Sequence, residues 1–206
     1  MSSREAFFGG TFDPVHHGHL IVARSILEQS GVDRVSFVPT GLAPHKAAMH
    51  APAEHRLAML QLAIQGHAGL GVCDIELRRP GRSFTYDTLC QLRAENAGVQ
   101  PLWVIGMDML EDLPRWHRAG ELVRKFDFLV AARPTWQDRL PAITRQLVAN
   151  FGKDAADRLT SNILPTPLIE ISSTDIRARA AASQDISWLL PEQVTAYIQE
   201  HGLYRA

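Results

Sequence analysis

The stretch Ala6-Phe7-Phe8-Gly9-Gly10-Thr11-Phe12-Asp13-Pro14-Val15-His16-His17-Gly18-His19-Leu20 decides the fold. Three apolar residues run into two glycines, which reads as a buried strand entering a tight turn. From residue 17 to 29 the period changes: Leu20, Ala23 and Leu27 fall on one helical face, with Ile26 at its edge. A strand that turns through glycines into a helix is the opening of a β-α-β unit. The pattern recurs outward from it. Further strands are predicted at 35–39, 70–77, 102–105 and 128–131. A sixth, at 163–164 and 168–169, is broken by Pro165 and Pro167. Helices are predicted over 54–64, 83–95, a short piece around 109, 117–125, 144–151, 174–182 and 191–199, with a Pro-, Ala- and His-rich loop over 40–53. Such alternation predicts an α/β protein with a doubly wound parallel sheet and helices on both faces. It is read as a single domain over 1–206, with a helical carboxyl portion from about 172. In such sheets ligands sit beyond the carboxyl ends of the strands. The loops after the first, second and fourth strands, and the entry to the helix at Thr174, are therefore where chemistry is expected.

Composition narrows the function. Lys and Arg number 21 against 22 Asp and Glu, so the basic excess of a nucleic-acid binder is missing and phosphate recognition must be local. Cys73 and Cys90 form neither a CxxC pair nor a metal spacing, which reads as two reduced, small apolar residues. Phe7 and Phe8 lead into glycines, not into the apolar core of a signal peptide. No apolar run reaches the roughly 18 residues of a membrane span. A cytoplasmic protein without membrane or nucleic-acid partners is expected.

The opening stretch also carries chemistry. Glycines after a strand allow backbone to approach a ligand closely, Thr11 adds a hydroxyl, and Pro14 shapes the loop. His16 and His19, three apart at a helix start, share one face. Free N–H groups and the helix dipole favour phosphate there, and two imidazoles can donate to its oxygens. His17 points about a third of a turn away and reads as a spacer. A Gly-Gly pair or a lone histidine is ordinary in α/β proteins. A zinc site would need three or four ligands, and no HExxH or cysteine companions accompany these histidines. A second stretch, Ile171-Ser172-Ser173-Thr174-Asp175-Ile176-Arg177, places three hydroxyls before a helix and an arginine in its first turn. The hydroxyls suit an N-cap. The arginine is disfavoured by the dipole unless an anion lies between; the alternative is an ordinary cap with a solvated arginine.

Residues 9–19 resemble the GGxFxPxHxGH signature of the adenylyltransferase superfamily that includes nicotinate-nucleotide, nicotinamide-nucleotide and phosphopantetheine adenylyltransferases. Residues 171–177 resemble the ISSTxIR segment that closes those enzymes. Pro44-His45-Lys46 resembles the PPH[KR] element of the nicotinate-nucleotide branch, with Ala43 in place of the first proline. Ser83-Phe84-Thr85-Tyr86-Asp87-Thr88-Leu89 is similar to its SYTxxTL segment, with Phe84 for Tyr. Residues 105–110 with Leu113-Pro114-Arg115-Trp116 resemble IGxDxL…LPxW, and Ala132-Arg133-Pro134 matches an RP element in part.

The resemblance implies a Rossmann-like nucleotidyltransferase fold and transfer of AMP from ATP to nicotinate mononucleotide. It implies catalytic roles for His16, His19, Lys46 and Arg177. ATP would be held by Gly9, Gly10, Thr11, Phe12, His16, His19, Asp108, Ser172, Ser173, Thr174 and Arg177. The pyridine nucleotide would be held by His45, Lys46, Thr85 and Trp116. Mg2+ is expected through the ATP phosphates, because no carboxylate cluster supplies a cage; no protein metal site is expected, and a homo-oligomer is allowed for. The same chemistry on nicotinamide mononucleotide or phosphopantetheine stays open, as does a non-catalytic nucleotide-binding protein. A synthetase fragment would need a KMSKS-like loop, which the chain lacks.

Overall fold

The computed structural model describes residues 3–42, 49–96, 98–132 and 134–205. Pro44, His45, Lys46 and Arg133 of the motifs above lie outside them. Among the described residues six strands form one parallel sheet: β1 (Ser3–Gly10), β2 (Arg34–Pro39), β3 (Leu70–Val72), β4 (Val99–Gly106), β5 (Asp127–Ala132) and β6 (Ile163–Pro165), in the order β3-β2-β1-β4-β5-β6. The order reverses between β1 and β4, which run side by side with Phe8 opposite Val104. The switch point thus opens beyond Gly10 and Gly106, the ends of those two strands.

The strands are buried on both faces, and alternate residues choose the side. Ala6, Val35, Phe37, Leu102, Val104 and Leu129 pack under helices α1 (His17–Gln29), α2 (Ala53–Ala63), α8 (Ser173–Ala181) and α9 (Glu192–Glu200). Phe7, Val38, Trp103, Ile105, Phe128 and Val130 pack under α3 (Thr85–Glu95), α4 (Met107–Asp112), α5 (Ala119–Lys125), α6 (Leu140–Phe151) and α7 (Lys153–Ser161). The carboxyl-terminal helices share one apolar core with α1 and α2: Ile176, Val194 and Ile198 meet Ala23, Ile26 and Met59 there. No described helix is long and apolar enough to cross a membrane.

Several boundaries depart from expectation, each for a physical reason. The third strand ends at Val72, not at 77. It is an edge strand paired with β2 alone; after the Cys73 amide bonds Phe37 O at 2.8 Å, the chain turns, with the Leu77 and Arg78 amides both donating to Asp74 O. Ile75 and Glu76 are buried in that turn, so their apolar-like pattern imitates a strand. The sixth strand stops at Pro165, and Leu168 is 52 % exposed. Helix α6 begins at Leu140 with a proline in its first turn, where the missing amide is tolerated. Gly152, at φ 84, ends it and starts α7. The buried residues of α7 include Ala155 and Ala156, too small to announce an amphipathic stripe. Helix α5 starts at Ala119 because Arg118 is left-handed.

Candidate active site

The site is built around the end of β1. A Cβ on Gly9 would fall 2.3 Å from the Trp103 ring, and one on Gly10 would fall 2.8 Å from the Phe12 ring. The space that each glycine frees is therefore filled by a ring of the protein, and what the pair offers a ligand is its backbone. Phe12 is held in the same way. It is left-handed at φ 47 and its side chain is buried, edge-on to Phe8 at 5.8 Å, Phe37 at 5.4 Å and His19 at 5.0 Å. Only its backbone remains to face a nucleotide.

His16 is the N-cap of α1 and His19 its third residue. Their rings stack at 3.7 Å, 25° apart. The His16 amide donates to His19 Nδ1 at 3.3 Å, which satisfies one of the orphan donors of the helix start. His16 Nδ1 is buried and has no hydrogen-bond partner among the described residues. Gly18 makes room for that ring: a Cβ there would lie 3.0 Å from His16 Nδ1 and Cε1 and 3.3 Å from Ile169. Burial, and then the neighbouring His17, lower the His16 pKa to about 4. Burial, and then His16, hold His19 well below the ordinary imidazole value. Both rings are neutral near pH 7, each with one N–H to donate and one nitrogen to accept. His17 stands apart from the stack and contributes its amide to Leu189 O at 3.1 Å.

The loop between β1 and His16 is gripped from four directions that sequence reading missed. The buried Asp13 carboxylate accepts the His50 amide at 2.8 Å, the Ala51 amide at 3.1 Å and the Tyr204 hydroxyl at 2.7 Å. Arg56, 1 % exposed, donates to Thr11 O at 2.9 Å and to Ala51 O at 3.3 Å. Arg177 donates to Asp13 O at 2.7 Å, and the Ser173 hydroxyl to Pro14 O at 2.9 Å. The Asp13–Pro14 peptide is cis. The two signature segments, separated by over 150 residues of chain, are thereby one structure.

This wiring sorts the hydroxyls of α8. Ser172 caps the helix, accepting the Asp175 amide at 3.1 Å and donating to Asp175 Oδ2 at 2.7 Å. The Ser173 proton is committed to Pro14 O. Thr174 is exposed and accepts from Arg177 Nη2 at 3.2 Å, so its own proton points to solvent or to a ligand. Among the described bonds, Thr174 is thus the one of the three hydroxyls whose proton is uncommitted, and Arg177 lies beside it.

The remaining candidates lie on the other side of the switch point. Asp108, second residue of α4, is exposed with its carboxylate over Gly106; it borders an open depression of about 290 Å3 shared with Glu111, Asp112, Arg115 and Gln146. Thr85 is the first residue of α3, after the N-cap Phe84. Trp116 is half-buried against the core beneath α3 to α7. The Phe84 ring lies 4.4 Å from His117, and Arg118 sits 4.1 Å over Tyr86. These pairs bring the segments of Thr85 and Trp116 together. The turn after β2 joins them through Ser83, whose amide donates to Leu42 O at 2.9 Å. Among the described residues no group of three or more His, Cys, Asp or Glu side chains is placed to hold a metal.

Residues 7–179 match the cytidylyltransferase-like family. A Thermomicrobium roseum protein named "Probable nicotinate-nucleotide adenylyltransferase" is 42 % identical over 204 residues, covering 98 % of this chain and 92 % of its own. One of the same name from Neisseria meningitidis serogroup B is 41 % identical, covering 96 % of each chain. The Plasmodium falciparum nicotinic acid mononucleotide adenylyltransferase complexed with NaAD shares the fold, with a TM-score of 0.75 at 18 % identity over 98 % of this chain and 97 % of that one. With the stacked histidines, the α8 cap and the doubly wound sheet in place, the chain belongs to the cytidylyltransferase-like family and, within it, to the nicotinate-nucleotide adenylyltransferases.

Proposed function

We propose that the chain transfers AMP from ATP to the 5′-phosphate of nicotinate mononucleotide, releasing pyrophosphate and forming nicotinate adenine dinucleotide, a step of NAD biosynthesis in the cytoplasm. The observation that carries this reading is the stack of the buried His16 on the half-buried His19, wired through Asp13 and Pro14 to Arg177 and Ser173. An acceptor phosphate oxygen attacks the α-phosphorus as the bond from that phosphorus to the bridging oxygen breaks and pyrophosphate departs. No protein nucleophile is needed; positioning and charge stabilisation do the work. In this reading the neutral imidazoles of His16 and His19 donate N–H groups to the α-phosphate as its charge grows. Arg177 and Thr174, with backbone amides at the start of α8, hold the leaving pyrophosphate. Gly9, Gly10, Thr11 and Phe12 contribute backbone to the nucleotide, Asp108 a carboxylate to its ribose. Ser172 and Ser173 act by shaping the cap.

Thr85 and Trp116 are assigned to the pyridine ring, His45 and Lys46 to the same nucleotide, and Lys46 also to orienting the phosphates. Mg2+ is assigned to the ATP phosphates and water, since the described residues offer no cage for it. The test is pyrophosphate release from Mg·ATP with each acceptor supplied alone. Release with nicotinate mononucleotide, and much less with nicotinamide mononucleotide or phosphopantetheine, is expected. Release only with phosphopantetheine, or with no acceptor, overturns the reading.

A further inference from the structure

Glu76 is 4 % exposed, and the mechanism above does not use it. It sits in the turn after β3. Its Oε1 accepts the hydroxyl proton of Thr88, which is fully buried in α3, at 2.8 Å. Thr88 Oγ1 accepts in turn from Arg79 Nη2 at 2.9 Å, and Arg79 Nη1 reaches Gln91 Oε1 at 3.2 Å. Burial pushes the Glu76 carboxyl up, while the Thr88 hydroxyl and then the Arg79 charge pull it back toward the charged form. Gly41 lies against the same turn so closely that a Cβ would fall 2.5 Å from Glu76 O. Immediately beyond it Leu42 bridges to Arg82, and Leu42 O accepts the Ser83 amide. Glu76 therefore meets both elements: its backbone packs against Gly41 in the turn after β2, and its carboxylate bonds Thr88 in α3, the helix that Thr85 begins.

A buried ionisable group costs stability unless every lone pair is used, and an apolar residue would hold the same space at less cost. What a carboxylate adds is a directional bond to Thr88 from a residue whose backbone lies against Gly41. We infer that Glu76 is a positioning residue for the acceptor: through Thr88 and Gly41 it fixes the first turn of α3 against the turn after β2, and so sets how tightly Thr85 holds the acceptor's ring. This rests on the assignment of Thr85 to the pyridine nucleotide. The bond of the Glu76 carboxylate goes to Thr88, not to a residue assigned to ATP, so its effect belongs to one substrate.

The experiment is steady-state kinetics with both substrates varied, on wild type, Glu76→Gln, Thr88→Val and Thr88→Ser, with melting curves for each. Glu76→Gln and Thr88→Val are expected to raise KM for nicotinate mononucleotide about tenfold or more, as loss of a buried, charge-assisted bond would. KM for ATP and kcat stay within about threefold. Thr88→Ser, which keeps the hydroxyl, stays near wild type. A fall in melting temperature with both KM values unchanged, or an equal rise in both, overturns the inference and leaves Glu76 a structural residue. If Glu76→Gln does not fold, the Thr88→Val and Thr88→Ser pair decides by the same split. A wild type inactive with nicotinate mononucleotide but active with another acceptor overturns the assignment of the acceptor first, and this inference with it.

Discussion

At the scale of single residues, the histidine pair makes opposite demands on its surroundings. The rings must be close enough to reach one phosphate and buried enough to work in a low dielectric, yet burial keeps them uncharged. Donation by neutral N–H groups resolves this. His19→Ala is expected to lower kcat by about two to four orders of magnitude, the loss associated with a transition-state charge partner; near-normal turnover in the folded variant would remove that role. Gly18→Ala is a sharper probe. Alanine is a better helix former by about 1 kcal/mol, so the melting temperature should hold or rise. The added Cβ meets the His16 ring at 3.0 Å, so kcat should fall by roughly one to two orders of magnitude as the ring is displaced. A variant that is both stable and fully active would mean that the ring position is unimportant.

The depressed pKa of His16 also predicts a pH effect with a defined sign. Between about 4 and the ordinary imidazole value of 6.5 the folded ring is neutral while the unfolded one is protonated. The unfolded state binds more protons there, so stability rises with pH across that window and is lost as pH falls through it. The ring accounts for at most roughly 3 kcal/mol. Denaturant titrations at pH 7 and pH 4.5 should show a large difference for wild type and a smaller one for His16→Gln. Equal differences in the two proteins would show that the ring is not held neutral.

At the scale of elements, the link between α8 and the loop before His16 is the feature that turns two helix starts into one site. Arg177 is a fork that reaches Asp13 O with one nitrogen and Thr174 with the other, and a lysine cannot reproduce that planar spread. Arg177→Lys should cost about tenfold to a hundredfold in kcat, and Ser173→Ala less. Because both side chains hold adjacent carbonyls of one loop, the double variant should lose less than the product of the single losses. Multiplicative losses would mean that they act independently.

Elements were also what the sequence disclosed best and worst. Helix α1 was readable to the residue because a glycine turn precedes it and an apolar stripe runs through it. Helix α7 was not, since Ala155 and Ala156 bury without bulk, and the end of β3 was overrun because a buried turn carries the same apolar residues as a strand. The histidines and the hydroxyl cap were visible as local motifs. Their supports were not: Asp13, Arg56 and Tyr204 make bonds that span 37 to 191 residues, and no local pattern announces such a partner. What fills the space beside the two glycines was hidden for the same reason, since one of the rings comes from β4.

At the scale of the whole molecule, those long bonds make the site a product of the complete fold. The core under α1, α2, α8 and α9 draws residues from Ala6 to Ile198, and the Asp13 carboxylate beside it takes a side-chain donor from Tyr204. The tyrosine is left-handed at φ 62, and burial and then the Asp13 charge push its pKa far above the ordinary value, so the hydroxyl remains a donor at any working pH. Removing that proton donor leaves Asp13 Oδ1, among the described residues, with the Ala51 amide at 3.1 Å. Tyr204→Phe should therefore lower unfolding free energy by about 1–3 kcal/mol, the cost of a buried acceptor losing a charge-assisted partner. It should also lower kcat several-fold, because the loop that Asp13 anchors carries His16 at its far end. Urea denaturation and kinetics on the same preparation separate the two effects. Lost stability with unchanged kcat would show that Arg56 and Arg177 suffice to hold the loop, and unchanged stability would show that the two backbone amides satisfy Asp13 by themselves.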